Sequence, residues 1–367
     1  MSSGLTVLLA FLATVVVCVN ADSLGARFGV MAHPDHRRKH ASPTPQLGGV
    51  AILLGFTIWT ICELFYMGPS PDPILLAILF TGGGLGLVGF VDDQREVSPA
   101  LRILLLLVFL GIAFALDPRL ISPVLHWYSF PETSIAPWIY VPLMAITAIG
   151  LVNSVNMADG QNGLVGSMFV TWTACLVIVS TGELRMLAGV FFALSLVFLI
   201  FNLRGNIFLG DCGSYGVTFA IGLMATLAHA QGRISLEAII VWFFIPVIDC
   251  LRLLITRPLQ GRAFFEGGRD HFHHRLIDSL GMRLSAITYI FTVAGSSIFV
   301  TLNPKFALVV LCGLCAFYFT FARLSEGNSD RASSIEDDDV LSGSLNVVSI
   351  SEGRGREAGQ SWAMDGS

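Results

Sequence analysis

Charge is scarce in this chain. Of its 367 residues only 13% are Asp, Glu, Lys or Arg, against 54% hydrophobic, and the mean hydropathy is +0.73. That balance excludes a soluble globular domain, and nothing in it suggests nucleic-acid binding. The net charge of -5 is a property of the last stretch, 325–367, which holds nine acids against three arginines. Cysteine is sparse too. Six of the seven (Cys18, Cys62, Cys175, Cys250, Cys312 and Cys315) sit inside apolar runs, where a small buried thiol is ordinary, and no disulfide framework or zinc spacing is visible. The glycines at 82, 83, 84 and 86 have no strand before them and no GK[ST] after them, so close helix packing explains them better than a phosphate loop.

What remains is a succession of eleven apolar runs, at 5–21, 47–66, 74–91, 101–116, 136–152, 164–181, 186–203, 215–231, 236–256, 285–301 and 306–322. Each is near the length of a spanning helix. The expected fold is therefore all-α: a polytopic membrane protein of about 11 transmembrane helices. No Lys or Arg precedes the first run and the positive flank follows it, so it reads as a retained helix with the N-terminus outside rather than a cleaved signal. With that orientation thirteen Lys and Arg fall on inward loops and helix ends and four on outward ones, a positive-inside bias that leaves the C-terminus cytoplasmic. Residues 1–323 form the polytopic domain; 324–367, rich in Ser, Gly and acids, are expected to be a disordered cytoplasmic tail.

The same count puts every chemically capable cluster on one face. Asn153 to Leu164 (NSVNMADGQNGL) interrupts two apolar runs with amides, Asp159 and glycines, a segment hydrocarbon cannot hold. Asp92 and Asp93 are adjacent carboxylates that would favour a cation, a basic partner or a shared proton; a solvated helix cap is the plainer explanation of such a pair alone. Arg102 follows, and a cation there could hold a phosphate. Asp211 lies in Gly210-Asp211-Cys212-Gly213-Ser214, either an anion-favouring helix start or a simple capping turn. His271, His273, His274 and Arg275, close to Arg257, Arg262 and Arg269, suit polyanion contact better than zinc. A basic first loop, 33–40, is also explained by the positive-inside bias. Asp249 and Arg252, at i and i+3, are expected to neutralise each other as a structural pair.

Taken in order, these motifs resemble the polyprenyl-phosphate N-acetylhexosamine-1-phosphate transferase family, over residues 1 to 322. The matching residues are Pro34 to Gly49, the Asp92-Asp93 pair with Ser98 and Arg102, Asn153-x-x-Asn156-x-x-Asp159-Gly160, Phe208-x-Gly210-Asp211-x-Gly213-Ser214, and His271-x-His273-His274. The resemblance implies transfer of sugar 1-phosphate from a UDP-N-acetylhexosamine to undecaprenyl phosphate at the cytoplasmic face of a bacterial inner membrane. It implies Mg2+, or Mn2+, held by Asp211 and Asn156. It implies further that Asp92 or Asp93 orients or deprotonates the acceptor phosphate held by Arg102, that Asn153, Asp159 and Asn162 bind substrate on the nucleoside or sugar side, and that the histidines and Arg275 contact phosphate oxygens. Cys212, if exposed there, would be open to alkylation. Two other readings stand beside it: the phospho-MurNAc-pentapeptide transferase of peptidoglycan synthesis, and a transporter or flippase, which would carry ionisable groups near the midplane and related halves. Oligomeric state is left open, a homodimer among the candidates.

Overall fold

The computed structural model describes residues 3–33, 43–67, 71–262 and 270–322; most of the basic first loop and the tail expected at 324–367 lie outside the described residues. The chain divides into two units, Met1–Tyr318 and Phe319–Ser367, and the fold and site below belong to the first.

Only structures that satisfy their own backbone cross hydrocarbon, and this chain does so with helices. Among the described residues eight helices are long and apolar enough to span a membrane, nine if the bent pair at the amino end is one span. This is a multi-pass membrane protein. All eleven expected runs are helical, but two fall short of that measure. Helix α8 (Leu164–Val179) has 16 residues, and the run expected at 215–231 opens inside a π turn (Gly213–Val217), which leaves 13 residues of α-helix.

Helix α1 (Ser3–Val19) bends by 70° into the short α2 (Ala21–Phe28), which ends on Gly29 at φ 71°, a left-handed cap that glycine adopts without strain. Among the described residues strands are confined to two hairpins of two-residue strands: β1 (Met31–Ala32) with β2 (Thr44–Pro45), and β3 (Val124–Leu125) with β4 (Thr133–Ser134). Helix α3 (Gly48–Met67) follows. Then α4 (Pro73–Ala77), capped by the Asp72 carboxylate on the Ile74 amide at 3.0 Å, passes through a π turn (Ile78–Gly82) into α5 (Gly83–Gln94). Helices α6 (Pro99–Leu116), α7 (Pro137–Ala158), α8 and α9 (Gly182–Leu203) come next. A single turn, α10 (Gly210–Cys212), leads through a second π turn (Gly213–Val217) into α11 (Thr218–Ala230). Helices α12 (Leu236–Leu259), α13 (Phe272–Leu280) and α14 (Met282–Leu302) come next, and a last apolar helix, Pro304–Ala322, carries Tyr318 at the end of the first unit.

Lipid tails are as apolar as leucine, so contact between helices must come from close fit rather than from water exclusion. Glycine supplies that fit here. A Cβ on Gly49 would overlap the backbone of Cys212 and Gly213, one on Gly89 the backbone of Asp211, and one on Gly216 the carbonyl of Gly82. The two π turns therefore pack backbone to backbone, beside the segment that carries Asp211. Gly82 and Gly86 face this contact and Gly84 faces Phe109, as packing glycines should, whereas Gly83 meets nothing within 4 Å.

Proline within a spanning helix leaves a carbonyl without its partner, and one such loss is made good explicitly. Pro246 cannot donate to the carbonyl of Trp242; the indole N–H of Trp172 does so instead, at 2.9 Å.

Two substitutions test the glycine contacts. Gly89→Ala should lower the melting temperature in detergent sharply, overpacking costing about 1 to 3 kcal/mol or more. Gly83→Ala, into open space within a helix, should leave it unchanged or raise it by up to about 1 kcal/mol equivalent. Equal melting temperatures for the two variants would contradict the packing described.

Candidate active site

The first-loop segment and the Asp211 segment are joined by main-chain bonds. Phe208 N donates to Pro45 O at 2.8 Å, Gly48 N to Phe208 O at 2.9 Å and Gly49 N to Leu209 O at 2.8 Å. Two motifs more than 150 residues apart in the sequence thus form one short ladder at one end of the bundle.

Asp92 and Asp93 sit in the last turn of α5, and successive helical residues face different ways. Asp93 turns towards the ladder. Its Oδ1 accepts from the Asp211 amide at 3.0 Å and from Gln46 Nε2 at 3.1 Å, and its Oδ2 accepts from the Cys212 amide at 3.3 Å. Asp92 turns towards α6. It accepts from the Val97 amide at 2.8 Å and from the Tyr215 hydroxyl at 2.8 Å, and pairs with Arg102 Nε at 3.1 Å. Arg102 also donates to the Tyr215 hydroxyl at 2.9 Å while keeping 32% of its side chain exposed, enough to meet an anion. Asn156, near the end of α7, donates from Nδ2 to Asp211 Oδ1 at 2.6 Å and to Ser214 Oγ at 3.0 Å. Asp92 and Asp211 are within side-chain hydrogen-bonding reach of each other.

Five expected residues, Asp92, Asp93, Arg102, Asn156 and Asp211, therefore share one network. Gln46, Tyr215 and Ser214 belong to it and escaped the reading of individual side chains. Gln46 lies inside the quoted proline-glycine motif and Tyr215 directly follows the Gly-Asp-Cys-Gly-Ser turn, so proximity to a motif was the available signal.

The histidines form a second cluster. His271 stacks on His273 with ring centroids 5.7 Å apart and planes 13° apart, and His273 lies 4.2 Å from His274. His273 is buried, its Nε2 has no hydrogen-bond partner, and its ring stands where a Cβ on Gly160 would be. The cluster thus abuts the loop that follows Asn156, at the same end of the bundle as the carboxylates. Beneath it, Asp270 binds Arg257 at 2.7 Å and Arg262 at 3.2 Å; despite burial, the Arg257 hydrogen bond and charge hold its carboxyl well below the usual range. Arg275 Nε reaches the Asp270 carbonyl at 3.4 Å.

The three residues expected on the nucleoside or sugar side lie on α7 and in the turn that follows it. Asn153 donates back to Ile149 O on its own helix at 2.8 Å, Asn162 is exposed, and Asp159 is half-buried at the end of α7. Asn202, which sequence reasoning passed over, shapes this loop: it accepts from the Gly163 amide at 2.6 Å and donates to Ile207 O at 2.8 Å. Cys212 is buried, which removes the exposed thiol that alkylation would require.

Three carboxylates beside one guanidinium form a hard, oxygen-rich donor set of the kind that suits magnesium or calcium. Among the described residues no three of His, Cys, Asp and Glu are grouped so as to hold a metal ion by themselves. That fits magnesium, which takes one or two carboxylates and completes its shell with water and substrate phosphate. Asn156 presents its amide nitrogen to Asp211, so joint ligation by these two residues requires the amide to turn over.

Residues 75–229 match the model for glycosyl transferase family 4, a span that contains Asp92, Asp93, Arg102, Asn156 and Asp211 but not the histidines. The chain is 23% identical over 331 residues to a probable undecaprenyl-phosphate N-acetylglucosaminyl 1-phosphate transferase of Bacillus subtilis, covering 84% of this chain and 90% of that one. It is 27% identical to the decaprenyl-phosphate N-acetylglucosaminephosphotransferase of Mycobacterium tuberculosis, over 79% of this chain and 80% of the relative. It is also 27% identical to a phospho-N-acetylmuramoyl-pentapeptide-transferase of Halalkalibacterium halodurans, over 74% and 88%.

Burial, reinforced by the neighbouring His274 and His271, pushes the His273 imidazole down to about 3. Its pKa when unfolded is about 6.5, so the unfolded chain gains a proton that the folded chain refuses. The stability tied to neutral His273 is complete above pH about 6.5 and is lost as the pH falls towards 3. Melting temperature should therefore drop between pH 7 and pH 5, and His273→Gln should flatten that drop; an unchanged slope in the variant would contradict this burial.

Proposed function

Since the chain belongs to glycosyl transferase family 4, we propose that it transfers N-acetylglucosamine 1-phosphate from a UDP-sugar to undecaprenyl phosphate, releasing UMP. In this reading the reaction initiates a cell-surface polysaccharide, and the site lies on the cytoplasmic face of a bacterial inner membrane. The observation that carries it is the meeting of Asp92, Asp93, Arg102, Asn156 and Asp211 in one hydrogen-bonded network at a single end of the bundle. A greasy acceptor and a soluble donor can meet only at such a boundary.

The bond that forms joins an acceptor phosphate oxygen to the sugar-bearing phosphorus. The bond that breaks joins that phosphorus to the oxygen leaving with UMP. Two anions must approach, so positioning and charge neutralisation are the main demands on the protein. Arg102, half exposed and braced by Asp92 and Tyr215, would hold the acceptor phosphate. His271, His273, His274 and Arg275 would contact the donor's phosphates, and Asn153, Asp159 and Asn162 would bind its nucleoside or sugar side. Mg2+, or Mn2+, held by Asp211 and Asn156 would supply Lewis-acid neutralisation of the diphosphate.

Both carboxylates of the adjacent pair already accept several hydrogen bonds, which blunts them as nucleophiles. An acceptor phosphate is largely dianionic at pH 7 and needs no strong base. Direct attack is therefore preferred over a phosphoenzyme, with Asp92 or Asp93 orienting the acceptor. The transporter reading is disfavoured because the site's ionisable groups gather at one end of the helices. The muramoyl-pentapeptide reading stays open through the Halalkalibacterium relative, and a donor panel separates it.

Purified protein given UDP-N-acetylglucosamine, undecaprenyl phosphate and Mg2+ should release UMP, and chelation should stop it. Asp211→Asn should lower kcat by about a hundredfold or more and Asp92→Asn by less. No UMP from any UDP-sugar in the panel would sink the proposal, and a trapped phosphoenzyme would replace the direct route.

A further inference from the structure

Asp249 was expected only to neutralise Arg252, and it does so at 2.8 Å. Its other contacts go further. Buried on α12, its Oδ1 accepts from the Tyr318 hydroxyl at 2.8 Å, while its Oδ2 accepts from the Phe272 amide at 3.1 Å and faces His271 Nδ1 at 3.5 Å. Arg252 in turn donates to the Asp270 carbonyl. Three consecutive residues, 270 to 272, are thus fastened to two side chains one turn apart on α12.

This fastening replaces something α13 lacks. The residue at its N-cap is His271, whose side chain caps no amide of the helix. The first-turn amide of Phe272 is satisfied instead by a carboxylate from another helix, which also suits the positive end of the helix dipole. With Nδ1 of His271 towards Asp249, its Nε2 faces the other way, 3.4 Å from the Arg257 guanidinium. The ring then stacks on His273, whose unpartnered Nε2 lies against Gly160. Arg252 offsets the charge of Asp249, so the clamp adds little repulsion towards an anion beyond it.

We propose that Asp249 is a positioning residue for the transfer, setting the ring of His271 and the first turn of α13 so that the histidine row faces the donor diphosphate. It touches no substrate itself. The inference rests on the transferase reading above, and it concerns a residue outside the carboxylate network.

The test is a double-mutant cycle on the full-length protein in detergent, measuring kcat, KM for the UDP-sugar and melting temperature for wild type, Asp249→Asn, His271→Gln and the double variant. Asparagine keeps an acceptor for the Phe272 amide but loses the charge that orients the imidazole. Asp249→Asn should lower kcat about tenfold or more with KM nearly unchanged. In the His271→Gln background the same change should alter kcat less than about twofold. Tyr318→Phe, which removes one donor to Asp249, gives a milder second variant with the same expected dependence on His271. Equal losses in both backgrounds, or a fall in melting temperature with kcat retained, would overturn the inference while leaving an active wild type and the parent reading intact. An inactive wild type would overturn both.

Discussion

The site depends on one carboxylate accepting the amides of another segment. Asp93 receives the N–H groups of Asp211 and Cys212, the first turn of the broken helix that continues as α11. Those amides have no partner within their own helix, and an acid placed there satisfies them and meets the positive end of the peptide dipoles. Asp93 supplies the hydrogen bonds between α5 and the turn that carries Asp211, and Gly89 supplies the close backbone fit beside them. Gly210 makes the approach feasible: its backbone sits at φ 72°, and a Cβ there would stand 2.7 Å from the Asp93 carboxylate. Gly89 and Gly49 clear the same space from the other two helices. Because three backbones meet at this point, Asp211 is fixed by main-chain contacts rather than by its side chain, whose Oδ1 is left to Asn156.

Much of this was legible in the sequence because it is local. Apolar runs marked where helices lie, and of the four glycines assigned to packing Gly84 and Gly86 are the most closely packed, Gly82 is in ordinary contact and Gly83 meets nothing. Polar interruptions marked the ends where chemistry collects. The Asp249 and Arg252 pair was legible from its i, i+3 spacing. What one helix cannot reveal is which other helix its end will meet. The adjacent acids were expected to favour a cation, a basic partner or a shared proton; Asp92 has the basic partner in Arg102, whereas Asp93 meets two amides 118 and 119 residues away. Tyr215, Gln46 and Asn202 have no distinguishing spacing and acquire their roles only through partners distant in the chain. The shortfall in spans has an equally physical cause, since α8 is short and the helix after Asp211 opens with a π turn.

The histidine row shows the same division. Its residues were visible as a partly cationic cluster, yet what holds them is a buried set on α12 and Tyr318. Burial keeps His273 neutral, so the row is not a fully cationic patch. What the structure gives these rings is orientation, supplied from behind, as it is wherever an imidazole must present one nitrogen rather than the other. Rigid support at this end also agrees with the loop at 159–163, which is tied down by Asn202 and, through Gln161 Nε2 and Met282 O at 3.0 Å, to α14.

A comparison inside the molecule shows why geometry, and not the census of charges, carries the assignment. At the other ends of α4 and α6, Asp72 and Asp117 gather around Arg119, and the Glu183 side chain lies against Asp72, again three acids with one guanidinium. Two of those acids do the ordinary work of caps: Asp72 accepts the Ile74 amide and Asp117 the Arg119 amide two residues on. Each serves the element it begins. In the candidate site, Asp93 serves a different helix, Asn156 spans from a third, and Arg102 holds part of its surface open beside them. Local caps can be satisfied by a chain that does nothing further. Long-range polar contacts of this density, built on glycines that tolerate no side chain, constrain four helix ends at once. That constraint is what a reaction between two phosphates requires and what mere solvation of helix termini does not.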